Sequence, residues 1–100
     1  LESTALVYDT KFKSPVEEFE YELARYRSYE ELIPIALDQF KPDEFTLKLS
    51  ERYVQDARTA HGVAEKQAVS GDHAAAIGTL QDATKRLQTA LRTMGLEVPQ

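Results

Sequence analysis

Two histidines, His61 and His73, are the first side chains that could do chemistry, since imidazole transfers protons near neutral pH and ligates metals. They stand ten residues before and two after Gly71. On the two arms of a helical hairpin turning at that glycine they lie at different heights, about 12 Å apart at about 1.5 Å per residue, too far to share an ion. Both are expected to be solvated surface residues. Carboxylates are more numerous: Glu17, Glu18, Glu20, Glu22, Glu30 and Glu31 crowd one stretch. A carboxylate di-metal site in a bundle needs inward-facing Glu and Glu-x-x-His pairs, and no Asp or Glu stands three residues before either histidine. Glu30 alone falls on a core-facing position, and it is expected to reach solvent beside a helix break.

Other catalytic chemistries lack their parts. There is no cysteine, hence no disulfide, thiolate metal site or thiol nucleophile. A serine nucleophile needs a strand-turn-helix elbow with a partner base, and phosphate-binding loops need clustered glycines. The four glycines, at 62, 71, 78 and 95, are dispersed. Gly62 and Gly78 sit inside helical patterns, where each costs about 1 kcal/mol relative to Ala, so a close approach of two helices beside the turn is expected there. No catalytic residue, cofactor site or metal site is assigned. What remains is surface: Tyr21, Tyr29, Leu32 and Ile35 form a candidate interaction patch with an acidic rim, lying off the main apolar stripe of the first helix. The competing account is that this part of the helix is buried on two sides.

These residues are positioned by helices. Ser14-Pro15-Val16-Glu17 reads as a helix start, with a hydroxyl cap, a proline whose missing N–H costs nothing there and a carboxylate at the third helical position. Val16, Phe19, Leu23, Tyr26, Ile33, Leu37 and Phe40 follow on steps of three and four, and only Glu30 interrupts the stripe. Pro34 removes a helix bond to the Glu30 carbonyl, and Ser28 with Glu31 could cap a new start. A kink or break between Ser28 and Pro34 is expected, with a short fourth helix as the variant outcome. A second helix is predicted from about Asp43 to Val69, its core face running from Phe45, Leu49 and Tyr53 to Ala57, Ala60, Ala64 and Ala68. Gly71 and Asp72 close it and cap the next. The third helix carries Ile77, Leu80, Thr84, Leu87, Leu91 and Met94, flanked by Ala76, Ala83 and Ala90, and ends at Gly95.

The fold class is therefore all-α, an antiparallel three-helix bundle over 14–95, preceded by an extended arm over 1–13 that includes the β-like run Ala5-Leu6-Val7-Tyr8, and followed by a tail over 96–100. One hundred residues, 42% hydrophobic, suffice for one core. The net charge of -5 disfavours phosphate backbones and anionic lipid. Lys85, Arg86 and Arg92 are the nearest thing to a basic cluster, and they scatter around the third helix; nucleic-acid binding is not expected, nor is a membrane span. The chain opens on Leu1-Glu2-Ser3-Thr4 without an initiator Met, which suggests trimming by signal cleavage or by excision from a longer chain.

The stretch Ala60 to Ala83 resembles one tetratricopeptide-type helical hairpin. Ala60, Val63 and Ala64 occupy the packing positions of its first helix, Gly71 its turn, and Ala76, Leu80 and Ala83 its second helix. It departs from that pattern in Gln67, where an aromatic is favoured, in lacking the closing proline, and in occurring once where stacked repeats need about three. The Gly-Asp-aromatic-x-x-Ala-Ile turn is similar to that of microtubule-interacting trafficking modules. The whole chain resembles small helical domains of exported bacterial proteins, which implies a periplasmic or secreted location rather than a cytoplasmic one. The function expected is a non-enzymatic helical interaction or structural domain that binds a protein partner or self-associates. The alternative is a bundle that holds a small ligand or metal, with an apolar gap near Pro34 as its site.

Overall fold

The computed structural model describes residues 12–98. Three helices occupy them: α1 (Pro15–Phe40), α2 (Glu44–Val69) and α3 (His73–Met94), with no strand among the described residues. Of the expected arm over 1–13, residues 1–11 with the run Ala5-Leu6-Val7-Tyr8 lie outside them, as do residues 99–100 of the tail.

Each start is capped by the residue that the sequence offers. The Glu17 N–H donates to Ser14 Oγ at 3.2 Å, and Glu17 Oε1 in turn accepts from the Lys13 N–H at 2.8 Å. Asp43 Oδ1 accepts from the Thr46 N–H at 2.8 Å and Asp72 Oδ1 from the Ala75 N–H at 3.1 Å. The ends use left-handed residues. Gly71 (φ 93°) and Gly95 (φ 113°) follow α2 and α3, and at both places the next N–H reaches back five residues, Asp72 to the Gln67 carbonyl and Leu96 to the Leu91 carbonyl. Lys41 closes α1 with φ 46°, an uncommon conformation for a side chain with a Cβ, and donates its N–H to the Leu37 carbonyl.

α3 is the centre of the molecule. Ala76, Ile77, Leu80, Ala83, Thr84, Leu87, Gln88, Ala90, Leu91 and Met94 are all buried on it, because it packs against both α1 and α2. α1 and α2 flank it without meeting: their Cα atoms nowhere approach within 8 Å. Leu96 and Val98, beyond α3, turn back and lie half-buried against the core.

Parts of three expectations need correction. α1 does not break near Pro34: it runs unbroken through that residue, and Ser28, far from capping a new helix, donates its hydroxyl to the Ala24 carbonyl one turn back. Pro34 is exposed while Ile33 and Ala36 are buried, so the core side keeps its packing and the bond lost to proline falls on the solvent side. The first half of α2 is rotated relative to the predicted register, whereas the second half keeps it, with Ala60 and Ala68 half-buried against the core beside the buried Ala57 and Ala64. Phe45 is 78% exposed, Leu49 and Tyr53 are half-buried, and Ser50, Val54, Ala57 and Ala64 are the buried positions. A face of small residues lets α2 seat closely on α3, which a face of Leu and Tyr would hold off. Finally, a Cβ built on Gly62 or Gly78 would meet nothing within 4 Å, so no close helix approach requires either glycine.

Candidate functional site

Because α1 and α2 stand apart at the backbone, side chains bridge them. Tyr26 of α1 is fully buried and stacks on His61 of α2, with ring centroids 4.7 Å apart. The Tyr26 hydroxyl lies 3.5 Å from Glu30 Oε2, which also takes Arg58 Nε of α2 at 3.3 Å. Burial, reinforced by the negative charge of Glu30, pushes the Tyr26 phenol up to about 12. Glu30 therefore pairs across the bundle instead of reaching into solvent beside a break. Glu22 is the more buried acid, which spacing alone did not single out: Oε2 accepts from Gln81 Nε2 of α3 at 3.4 Å, and Oε1 lies 3.5 Å from Arg25 Nη1.

Both histidines are half-buried where free surface residues were expected. His61 occupies the α2 stripe of Ser50, Val54, Ala57 and Ala64, and His73 sits edge-on to Phe19 with centroids 5.8 Å apart. Each rests on a different aromatic of α1. The described residues contain no grouping of three or more His, Cys, Asp or Glu able to hold a metal ion.

The four candidate surface residues divide. Tyr21, Tyr29 and Leu32 line one groove of about 770 Å³ along α1, closed on its far side by Leu96 and Val98. Tyr21 is 43% exposed, with the Phe12 ring 5.2 Å away; Tyr29 and Leu32 are half-buried, and Arg25 lies over the Tyr29 ring at 5.7 Å. Ile35, 57% exposed, stands on the same outer side of the helix but is not part of the groove lining. The contribution of Leu96 and Val98 was missed because a two-residue apolar alternation after a helix-ending glycine reads equally well as a free tail.

A second groove of about 690 Å³ opens where α1 and α2 separate. Ile33 and Leu37 of α1, Val54 of α2 and Met94 of α3 make it apolar, and Lys48, Arg52 and Arg58 of α2 rim it. Ser50 also lines it, its hydroxyl buried without a hydrogen-bond partner among the described residues.

No protein-family model matches the chain, and neither the curated proteins nor the solved structures yield a match to it. No helix among the described residues is long and apolar enough to cross a membrane.

Proposed function

We infer that the chain is a non-enzymatic helical interaction domain that offers the outer side of α1 to a protein partner or to a second copy of itself. The observation that carries this reading is the exposure of Tyr21 and Ile35 beside a preformed groove walled by Tyr29, Leu32, Leu96 and Val98. Large apolar side chains left outside the core add little to the stability of the monomer, whereas an aromatic anchor seated in an interface is worth about 2 kcal/mol or more. Tyr21→Ala combined with Ile35→Ser is expected to leave the melting temperature nearly unchanged and to weaken association, read by sedimentation velocity over a concentration series. The reading fails if the double variant melts much lower, or if association persists with the fold intact.

A second reading is a bundle that holds a small apolar ligand. It is favoured by the groove between α1 and α2 at Ile33, Leu37, Val54 and Met94, whose volume falls in the range of about 300–1,000 Å³ usual for ligand pockets. Native mass spectrometry of freshly purified protein separates the two: a retained small molecule favours the ligand, and a bare monomer–oligomer series favours the interaction domain.

A further inference from the structure

On α3, Gln81, Lys85, Gln88 and Arg92 follow one another at i, i+4, i+7 and i+11. At about 100° per residue they fall on one narrow face. Arg25 of α1 stands across from that face, and with Thr89 these residues line a cavity of about 560 Å³ between the two helices. Every lining side chain carries an N–H or O–H donor and none is a carboxylate. Gln88 is 4% exposed, which fixes it at the floor, while Lys85 and Arg92 stand exposed above it.

The charges around this cavity are unbalanced. Glu22 lies 3.5 Å from Arg25 and holds Gln81, and Glu97 lines the neighbouring groove that Arg25 also borders. Arg25 is thus partly compensated. Lys85 and Arg92 are not: among the described residues no carboxylate comes within 4.0 Å of either, and Arg92 Nη2 reaches only Thr89 Oγ1, at 3.5 Å. Arg86, by contrast, points away to Asp82 and Asp56. Two cations without a carboxylate partner among the described residues, beside a third, in a chain of net charge -5, form a local site for an anion that the mean charge opposes.

We propose that the cavity between α1 and α3 binds a phosphorylated polyol, with Lys85, Arg92 and Arg25 on the phosphate and with Gln81 Oε1 and Thr89 Oγ1 accepting from the hydroxyls, since Gln81 Nε2 is held by Glu22 and Thr89 donates to the Lys85 carbonyl. A bare phosphate would leave much of the cavity unfilled, and the remaining lining is amide and hydroxyl, which suits hydroxyl groups and not a hydrocarbon tail. The site adjoins the Tyr21 groove through Arg25 but does not depend on the interaction reading.

Calorimetric titration at constant ionic strength tests it, with inositol monophosphate as the probe and with inositol and inorganic phosphate as its separate parts. Saturable binding of inositol monophosphate, tighter than phosphate and absent for inositol, is expected. The Lys85→Gln, Arg92→Gln double variant should weaken it at least about tenfold with melting unchanged, since both residues are exposed. A Lys48→Gln, Arg52→Gln variant, on the rim of the other groove, should bind as the unaltered protein does. Vesicles carrying a phosphorylated inositol headgroup distinguish a lipid source from a soluble one, and saturable binding to either supports the site. Absence of saturable binding to both overturns the proposal, as does equal weakening by the two double variants, which would reduce the effect to net charge.

Discussion

Tyr26 and His61 lie face to face, their ring planes 5° from parallel, and with the Glu30–Arg58 pair this stack links two helices whose backbones keep apart. Removing the ring should therefore cost more than its own burial suggests. Tyr26→Ala is expected to destabilise the domain by about 3–5 kcal/mol, the range for emptying a fully buried aromatic site, against a typical total of about 5–15. Urea denaturation followed by circular dichroism measures it, and a loss under about 1 kcal/mol would show that α1 and α2 are held by other contacts.

The Tyr26 phenol also makes an alkaline prediction. Its folded value is about 12 against an ordinary 10.0, so as pH rises past the ordinary value the unfolded chain releases a proton that the folded chain keeps. Stability from this group is whole below about pH 10 and declines through about pH 12, by at most about 1.4 kcal/mol per pH unit. Tyr26→Phe keeps the stack and removes the titration. Comparing the two proteins at about pH 9 and about pH 11, the unaltered protein should lose more stability than the variant; parallel losses would place the effect in other groups.

Gly62 and Gly78 are helical without a neighbour that requires them. Alanine at either position is expected to stabilise by about 0.5–1 kcal/mol, through helix propensity and a less flexible unfolded chain. For a domain of this size that corresponds to a rise of a few degrees in melting temperature. A drop on Gly78→Ala would reveal a packing demand at an exposed site.

The rotated first half of α2 predicts a reversal of the effects its sequence suggests. Phe45→Ser should change stability by less than about 0.5 kcal/mol because the ring is 78% exposed, whereas Val54→Ala, at a site 8% exposed, should cost about 2 kcal/mol. Thermal melts of the two variants decide the register. Were Phe45→Ser the more damaging, α2 would face α3 with its large residues.

Thr84 is fully buried with its hydroxyl unpaired among the described residues. Thr84→Val keeps the shape and removes the polar atom, and it is expected to be neutral or stabilising by up to about 1 kcal/mol in the same melts. A clear loss would mean that the hydroxyl is satisfied where it stands.

The sequence by itself determined the elements and their limits. Ser14, Asp43 and Asp72 cap because their short polar side chains reach the free N–H groups of the first turn, and Gly71 and Gly95 terminate because they adopt positive φ without strain. The α3 face was legible for a related reason: large apolar residues and alanines repeat there without competition from a second pattern, and that helix is covered on both sides. Tertiary structure alone decided the rest. Pro34 stays within a helix because Ile33 and Ala36 are held on α3 while the proline faces out. The second half of the α2 face, Ala57-Ala60-Ala64-Ala68, was legible, but its first half offers two stripes, Phe45-Leu49-Tyr53 and Ser50-Val54; hydrophobicity favours the first, and how near α2 can sit to α3 selects the second. The pairing of Tyr26 with His61, and the grooves that involve Leu96, Val98 and Arg25, join residues far apart in the chain. A single-helix period records which way a residue points, not which residue stands opposite.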